Sequence, residues 1–553
     1  MTNTHTTRKK PATDTPKRGE PWYITTAIPY VNAKPHLGFA LEIILTDALA
    51  RYHRLNGEDT RFLTGADENS LKNVQAAERE SVPTQELVNR NAAAFEALRE
   101  PLSLSFDDFI RTSIDPRHRA GVEKLWEACA RNGDIYKRAY RGLYCVGCEQ
   151  FYTEAELVDG LCPEHLTPPE VVEEENYFFR LSRYGDRLRE LIASDQLLVT
   201  PQTRKNEVLS FISGGLADFS ISRSQGRARG WGIPVPGDPG QVMYVWFDAL
   251  GNYITALDYA DEGPLYHRYW LDNPHRTHVI GKGILRFHAV YWPAMLLSAS
   301  VPLPTAIFTH GYITVEGQKM SKSLGNILDP VSLAKEYGAD PLRYYLLHEV
   351  PPAEDGDFRL ERFLRVNNTD LADRLGNLVN RVVSMVGRYY GGSVPAPVDA
   401  AAMADDATLI ATAQGLAERV DAAMQRFSPR DALSAIWELV DAANKYVEVS
   451  EPWTLAKRRN KGADEGEKSS ADARLATVLY NLIESIRLLG AVIAPFLPTA
   501  AQAIAETLAV APASAGDGRT WRERLAWQQY PAGTQLHPGA VLFVKRELPT
   551  QDA

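Results

Sequence analysis

The chain has 553 residues, and its hydrophobic share of 44% and charged share of 24% are those of an ordinary globular protein, so about three or four domains are expected. A formal net charge of -10 excludes a protein that coats nucleic acid indiscriminately, because such binding depends on neutralising phosphates. No apolar run approaches the roughly 20 residues of a membrane span and no secretory signal is evident, which excludes a membrane partner and favours the cytoplasm.

The first ordered elements predict a strand–helix–strand unit. Residues 1–20 are rich in Thr, Lys and Pro and predict a disordered tail, with a transit peptide as the less favoured alternative. Residues 22–28 predict a buried strand, residues 36–55 an amphipathic helix, and residues 60–65 a second strand. Such a unit builds doubly wound parallel sheets of the α/β class, which bind ligands beyond the carboxyl ends of their strands.

The helix predicted from His36 begins at that ligand-binding edge. Free backbone donors and the positive end of the dipole make a helix start suitable for phosphates, and Gly38 has no side chain to keep a flat adenine away. An isolated His-x-Gly pattern is also compatible with a plain capped helix on the surface.

The apolar run 242–250 predicts a central parallel strand. Downstream, Lys319-Met320-Ser321-Lys322-Ser323 precedes Leu324-Gly325-Asn326, and lysines that bracket small hydroxyl residues suit a mobile phosphate-handling loop. After Pro330 the pattern changes to long amphipathic helices, which predicts a helical bundle.

Together, the His36-Leu37-Gly38-Phe39 and Lys319–Ser323 motifs resemble the HIGH and KMSKS signatures of the class I aminoacyl-tRNA synthetases, and their surroundings are similar to the methionyl branch. The resemblance implies activation of L-methionine with ATP and Mg²⁺, followed by transfer to tRNA(Met), including the initiator. It implies catalytic roles for His36, Lys319 and Lys322, and ATP contacts from His36, Gly38, Gly281, Lys319, Met320, Ser321, Lys322 and Ser323. Two positions depart from the family pattern, since Phe39 replaces the second histidine and Gly283 replaces an acid directed at the ribose.

The resemblance also implies an amino-acid pocket formed by Ile28, Tyr30, Asp67, Trp246, Ala249, Leu250, Tyr253 and His288. Aromatic walls suit a polarisable thioether, and Asp67 suits the substrate ammonium once that charge is desolvated. A helix N-cap is the alternative interpretation of Asp67.

Cys145-Val-Gly-Cys148 and Cys162-Pro-Glu-His165 form two half-knuckles that unite three of the four cysteines with a histidine. Three thiolates and an imidazole at this spacing predict a closed, tetrahedral, structural Zn²⁺ site. The related family carries a zinc knuckle in an insertion, commonly with four cysteines. Cys129 lies in an apolar helical pattern and predicts buried packing.

In the helical region, the resemblance assigns anticodon reading to Asn377, Arg381 and Trp453. Asn377 and Arg381 lie one turn apart on a helix, where they could bond base edges, and Trp453 could stack on a base. A tryptophan buried in the bundle core is the alternative.

The expected order along the chain is the following: tail 1–20, first half of the nucleotide-binding domain 21–115, zinc-bearing insertion 116–238, second half 239–330, stem-contact connection 331–370 and anticodon domain 371–553. No room remains for a further dimerisation domain, so a monomer is expected. Two alternatives stay open: a class I synthetase for another large apolar amino acid, and a relative that binds tRNA or adenylate but turns over poorly.

Overall fold

The structure is a computed structural model that describes residues 18–145, 150–152, 154–164, 166–320, 325–399, 402–462 and 464–547. Most of the tail predicted over residues 1–20 lies outside these ranges. The strands are β1 Pro21–Thr26, β2 Asp59–Ala66, β3 Asp108–Arg111, β4 Ile135–Cys145, β5 Gln150–Tyr152, β6 Glu170–Phe179, β7 Leu198–Thr200, β8 Phe219–Ser220, β9 Ser222–Ser224, β10 Pro234–Val235, β11 Asp238–Met243, β12 His275–Gly281, β13 Ala306–His310, β14 Ile313–Val315, β15 Gln318–Lys319 and β16 Gly356–Phe358.

The helices are α1 Leu37–Leu55, α2 Leu71–Glu80, α3 Thr84–Glu96, α4 Pro116–Arg131, α5 Gly185–Ala193, α6 Gln202–Ser213, α7 Val245–Leu250, α8 Asn252–Thr255, α9 Pro264–Tyr266, α10 Trp292–Ser298, α11 Pro330–Tyr337, α12 Ala339–Tyr344, α13 Leu360–Val366, α14 Asn377–Tyr390, α15 Ala404–Gln414, α16 Leu416–Met424, α17 Pro429–Ser450, α18 Pro452–Lys461, α19 Glu465–Val492, α20 Pro498–Thr507 and α21 Trp521–Arg524. Stretches of π-helix adjoin several of them, at His267–Leu271, Phe287–Tyr291, Tyr345–Glu349 and Asn367–Gly376.

A six-stranded parallel sheet, in the order β3-β2-β1-β12-β13-β7, organises the first part of the chain. The predicted β1–α1–β2 unit is confirmed. Strand β1 ends at Thr26, two residues before the predicted end, because the amide of Ala27 leaves the ladder and donates to Glu42 Oε1 at 2.9 Å. The order places β1 and β2 beside β12 and β13, so their carboxyl ends form one edge.

The prediction of a central parallel strand over residues 242–250 is wrong. Strand β11 ends at Met243 and pairs antiparallel with β9 and β10 in a small separate sheet. Residues 245–250 form helix α7, and most of its side chains are buried. A short helix that is buried on nearly all sides has the same continuous apolar pattern as a buried strand, so periodicity alone does not separate them.

The region predicted as an insertion contains an antiparallel sheet in the order β5-β4-β6-β8. Within the same region, β7 returns to the main sheet and pairs in parallel with β13. The predicted insertion therefore contains one strand of the main sheet, β7, as well as a separate antiparallel sheet.

The predicted helical bundle is confirmed by α14 to α21, and it packs against the main domain. Arg343 and Asp47 form a fully buried ion pair at 2.8 Å, and Tyr52 of α1 donates to Asp421 of α16 at 2.8 Å. Helix α19 is long and apolar enough to cross a bilayer, yet 89% of its most apolar window is buried inside the protein, which is typical of a core helix.

Candidate functional site

A cavity of about 410 Å³ opens at the carboxyl edge of the parallel sheet. This volume is within the ~300–1,000 Å³ typical of small-molecule sites. The lining brings together residues from widely separated parts of the chain, among them Tyr30, Glu42, Lys72, Trp246, Gly281, Lys282, Gly283, Phe287 and Tyr312. Sequence reasoning had selected Tyr30, Trp246 and Gly281 from this set.

His36 caps the start of α1, and its Nδ1 accepts a hydrogen bond from the amide of Gly38 at 3.1 Å. The expectation of free donors at this helix start is wrong. The amide of Leu37 donates to the carbonyl of Leu328 at 3.1 Å, and that of Phe39 donates to the carbonyl of His36 at 3.0 Å. Partial burial lowers the pKa of His36, so its ring is neutral near pH 7 and carries its proton on Nε2.

Gly38 allows the ring of His36 to fold against the helix start. A Cβ atom at position 38 would lie 2.9 Å from His36 Cε1 and 3.5 Å from Met320 Cε. Phe39, which replaces the second histidine of the family pattern, points into the core. It is only 9% exposed and packs edge-to-face on Phe95 with ring centroids 4.9 Å apart. The side chain of residue 39 is therefore part of the core, whereas His36 lies at the start of the helix.

The contact between Met320 and the region of Gly38 joins the two signature motifs in space. Lys319 ends the β14–β15 hairpin with an exposed side chain, and its carbonyl accepts from the Asn326 side chain at 3.2 Å. The predicted residues Ser321, Lys322 and Ser323 lie outside the described ranges.

The aromatic wall of the predicted amino-acid pocket is present. Trp246 stacks on Phe287 with centroids 3.8 Å apart, and Tyr30 meets Trp246 nearly perpendicularly at 6.4 Å. Ala249 and Leu250 lie one turn further along α7, where they are 4% and 1% exposed. The sequence does not indicate the role of Phe287, because its contact with Trp246 joins two parts of the chain that are 41 residues apart.

Asp67 is 2% exposed and continues the pairing of β1 and β2 beyond their ends through a bridge to Tyr30. Its amide donates to the carbonyl of Pro29 at 2.9 Å. The N-cap alternative is wrong, because α2 is capped by Ser70, which accepts from the amide of Lys72 at 3.0 Å. The carboxyl group of Asp67 is thus free of a capping role at the site's edge.

Tyr253 and His288 are fully buried, and Tyr253 is close enough to Asp67 to feel the charge of its carboxylate. The Tyr253 hydroxyl is 2.7 Å from His288 Nε2, and His288 Nδ1 lies 2.9 Å from the carbonyl of Ile284, to which it donates. Burial lowers the pKa of His288 to about 4, so Nε2 accepts from Tyr253 at neutral pH. Burial, with the Glu42 and Asp67 carboxylates, raises the pKa of Tyr253, which keeps the hydroxyl protonated. Ile28 is half-buried near Gly65, where a Cβ atom would approach its Cγ2 to 3.1 Å.

Glu42 and His310 are further residues that the sequence did not reveal. Glu42 Oε2 lies 2.9 Å from His310 Nε2, and both side chains are nearly buried. Lys72 lies over the ring of Tyr30 at 4.5 Å, and Lys282 pairs with Asp355 at 2.7 Å.

Position 283 has no room for a side chain, because a Cβ atom there would lie 1.9 Å from the hydroxyl of Tyr312. The tyrosine therefore occupies the space beside Gly283.

The predicted metal ligands are described in part. Cys145 and Cys162 are 2% and 0% exposed and share one small cluster with Tyr152. The chain turns back at Cys162, whose amide donates to the carbonyl of Thr167 at 2.9 Å. Cys148 and His165 lie outside the described ranges, and the described residues alone contain no group of three metal ligands. Two buried thiols that share one small cluster fit a thiophilic metal. The fourth cysteine, Cys129, is buried packing as predicted, and burial raises its thiol pKa to about 12.

The residues predicted to read an anticodon lie on the helical bundle. Trp453 is 46% exposed at the start of α18, so the core alternative is wrong. Asn377 is exposed at the start of α14, and Arg381 one turn later donates to the Asn444 side chain at 3.1 Å. Asn444 precedes the end of α17 at Ser450 by six residues, or about 9 Å along the helix. The exposed ring of Trp453, the exposed amide of Asn377 and the partly buried guanidinium of Arg381 therefore lie near one end of the bundle.

Two family models match nearly the whole chain. The family described as tRNA synthetases class I (M) matches residues 22–168 and 165–383, and the anticodon binding domain of methionyl tRNA ligase matches residues 394–551. The methionine–tRNA ligase of Clostridium acetobutylicum is 43% identical over 94% of this chain and 78% of its own length. The corresponding ligase of Mycobacterium tuberculosis is 47% identical over 89% of this chain and 93% of its own.

Solved structures agree with these sequence relatives. The methionyl-tRNA synthetase of Mycobacterium tuberculosis in complex with methionyl-adenylate superposes with a TM-score of 0.88 at 45% identity, covering 95% of this chain and 99% of that one. The free form of the same synthetase gives a TM-score of 0.82 at 42% identity over 96% and 99% of the two chains. The alternative of a class I synthetase for another apolar amino acid is therefore wrong. The chain belongs to the methionyl-tRNA synthetases, the methionine–tRNA ligases of the class I family.

Proposed function

We propose that the described cavity is where this ATP-dependent ligase converts L-methionine and ATP to methionyl-adenylate. The observation that carries the proposal is that Tyr30, Trp246 and Gly281 line this one cavity, with Asp67 paired to Tyr30 just beyond the ends of β1 and β2. His36 caps the helix that follows β1. A related synthetase of the same fold was solved with methionyl-adenylate, which supports this placement. Exchange of labelled pyrophosphate into ATP by the purified chain tests the assignment, because the exchange must depend on added methionine.

In this proposal Asp67 pairs with the methionine ammonium, and the thioether lies against Trp246 and Tyr30, with Ile28, Ala249, Leu250, Tyr253 and His288 around it. An ammonium that leaves water needs an anionic partner, and a polarisable sulfur gains ~0.3–1.5 kcal/mol from each aromatic contact. The Tyr253–His288 bond fixes the floor of the pocket in one protonation state at neutral pH.

The methionine carboxylate attacks the α-phosphate of ATP, which binds with Mg²⁺, and pyrophosphate leaves from the opposite side. The reaction needs no side-chain nucleophile, so catalysis rests on alignment and on charge placed at the departing phosphates. His36 Nε2 donates to the phosphates, Gly38 and Gly281 border the nucleotide, and Lys319 and Lys322 neutralise the pyrophosphate when the loop with Met320, Ser321 and Ser323 closes.

The second step transfers methionine to the 3′-terminal adenosine of tRNA(Met), including the initiator. We assign selection of that tRNA to residues 371–553, with Trp453 stacking on an anticodon base and Asn377 and Arg381 bonding base edges. The exposure of Trp453 supports this role, since a stacking platform has to be accessible. Residues 331–370 form the connection to the catalytic part, and we place the protein in the cytoplasm as a monomer.

Truncating Trp453 to alanine is expected to cut tRNA charging at least tenfold while methionine-dependent pyrophosphate exchange stays within twofold of normal. Stacking on an aromatic side chain contributes ~1–3 kcal/mol per base, and adenylate formation takes place in a different domain. Because Trp453 is 46% exposed, its loss should cost little stability. Val541→Ala, at a position 70% exposed, is the matched control and should charge normally. A folded Trp453→Ala variant that charges tRNA at the normal rate would remove the residue from recognition.

We further propose that Cys145, Cys148, Cys162 and His165 hold one structural Zn²⁺. The burial of Cys145 and Cys162 in one small cluster supports this proposal. The cluster contains few apolar neighbours, so a metal would supply cross-links that this small sheet lacks from packing.

Purified protein is accordingly expected to contain one zinc per chain, measured by atomic emission after purification without chelators. Cys162→Ser should lose the metal, whereas Cys129→Ala should keep it, because Cys129 packs elsewhere and its sulfur lies 3.6 Å from the carbonyl of Met295. Absence of zinc from the unsubstituted protein would refute the metal site and leave the ligase assignment standing.

A further inference from the structure

A fully buried histidine–aspartate pair joins helix α4 to helix α7. His118 Nε2 lies 2.5 Å from Asp248 Oδ1, and the two residues are 0% and 1% exposed. On the other side of the ring, His118 Nδ1 lies 2.9 Å from the hydroxyl of Thr255 in α8. Histidine and aspartate are seldom buried without a partner, and here each supplies the other with one.

The helices that carry this pair pack unusually closely. A Cβ atom on Gly121, one turn after His118 in α4, would lie 2.4 Å from Cγ2 of Thr255. A Cβ atom on Gly251, just after α7, would lie 2.8 Å from Cγ2 of Val122. A larger residue at either glycine would force the neighbouring helices apart. The histidine–aspartate bond depends on this close packing.

The second oxygen of Asp248 reaches the segment that carries Asp67. Asp248 Oδ2 accepts from the Asn69 side chain at 2.7 Å. The same segment is fixed from its other side by Asn73, whose amide group donates to the carbonyls of Asp67 at 3.1 Å and Glu68 at 2.9 Å. Asp248 thus bonds to two separate parts of the chain, and both of its carboxylate oxygens are occupied.

We infer that His118, Asp248 and Asn69, here termed the buried polar link, set the distance between the two walls of the methionine pocket. Asp248 lies two residues after Trp246 in α7, and Asn69 lies two residues after Asp67. The carboxylate of Asp248 therefore fixes the position of helix α7, which carries Trp246, relative to the segment that carries Asp67. The three residues are positioning residues, and the inference rests on the roles proposed above for Asp67 and Trp246.

The electrostatics of the link explain why an apolar contact would not replace it. Hydrogen bonds are directional and fix both rotation and distance, whereas apolar packing tolerates small shifts. A buried carboxylate that loses one donor retains its desolvation cost, so the segment that supplied the donor has to move or admit water. Loss of the link should therefore appear as weaker methionine binding more than as weaker ATP binding.

The test measures methionine affinity by calorimetric titration without ATP, and the KM of ATP and of methionine in pyrophosphate exchange. In Asp248→Asn, the new side-chain NH2 group would face one of the two donors, His118 or Asn69, that the carboxylate accepts from. This variant should weaken methionine binding at least tenfold. Asn69→Ala removes the bond to Asp248, together with a longer one of 3.3 Å to the carbonyl of Thr112, at a half-buried position, and should weaken methionine binding at least threefold. The KM of ATP should stay within twofold in both variants.

Asp134→Asn is the matched control for burial. Asp134 is 0% exposed just beyond the other end of α4, where its carboxylate accepts from Ser298 at 2.7 Å and pairs with Arg183 at 2.6 Å. This variant loses a comparable buried network and should leave methionine affinity unchanged, whatever its effect on thermal unfolding.

Equal losses of methionine affinity in Asp134→Asn and Asp248→Asn would overturn the inference, because they would show a general structural effect. Normal methionine affinity in a folded Asn69→Ala variant would also overturn it. Asp67→Asn separates this result from failure of the proposed pocket. If Asp67→Asn binds methionine weakly while Asn69→Ala binds it normally, the link is wrong and the pocket stands; if Asp67→Asn binds normally, the pocket itself is wrong.

Discussion

Replacing Asp67 by asparagine is expected to weaken methionine binding at least about thirtyfold, the lower end of the ~2–5 kcal/mol lost when one partner of a buried charge pair is removed. The substitution keeps the shape of the side chain, and Asp67 caps no helix in this fold, so the fold should persist. The methionine ammonium would then lie in a desolvated site with no anion beside it. Calorimetric titration of methionine into the free protein measures the loss.

The KM of ATP in pyrophosphate exchange serves as the internal control for Asp67→Asn. It should remain within twofold, because the proposed nucleotide contacts come from His36 and from residues 319–323 and not from Asp67. A parallel loss of ATP and methionine affinity would show that Asp67 supports the sheet edge as a whole. Unchanged methionine affinity in the folded variant would assign the ammonium to another acid.

Truncating Lys322 to alanine is expected to slow adenylate formation by about 10²–10³, the ~2.7–4 kcal/mol typical of losing one preorganised group that stabilises developing charge. The charge of Lys322 is needed when pyrophosphate departs, so methionine affinity should hardly change. Single-turnover formation of methionyl-adenylate measures this rate. Lys335→Ala, an exposed lysine on the nearby helix α11, is the control and should react normally.

Equal losses in rate and in methionine affinity would contradict this account of Lys322, because they would place the lysine in the ground-state pocket. The departure at Phe39 makes the result more informative. Phe39 packs on Phe95 and supplies no phosphate donor, so the positive charge available to pyrophosphate from these motifs comes from the lysines of the loop. We therefore expect the slowing caused by Lys322→Ala to lie in the upper part of that range.

The sequence predicted the β1–α1–β2 unit because its elements have distinct periods and are separated by turn residues. The run 242–250 could not be assigned in the same way, because α7 is buried on nearly all sides. One of the occupied donors at the start of α1, the amide of Leu37, depends on Leu328, which is almost 300 residues downstream and has no local signal.

Residues with a distinctive motif were identified, and those that act through tertiary contacts were not. Trp246 and Asp67 were selected by resemblance, and the structure places both at the cavity edge beside Tyr30. Phe287, which stacks on Trp246, and His118, which bonds to Asp248, have no signature of their own in the sequence. Each contacts a partner more than 40 residues away in the chain. Periodicity and motif spacing do not predict such contacts.

The most direct test of the central claim is the amino-acid dependence of ATP–pyrophosphate exchange, followed by charging of tRNA(Met) transcript with the preferred amino acid. We predict exchange with methionine and at least a hundredfold lower kcat/KM with leucine, isoleucine and valine, because a flexible thioether gains sulfur–aromatic contacts at the proposed walls around Trp246 that a branched aliphatic side chain lacks. The methionyl product should then appear on tRNA(Met). A preference for another amino acid, or methionine binding without exchange, would contradict the account, and the second result would identify a relative that binds its ligands but turns over poorly.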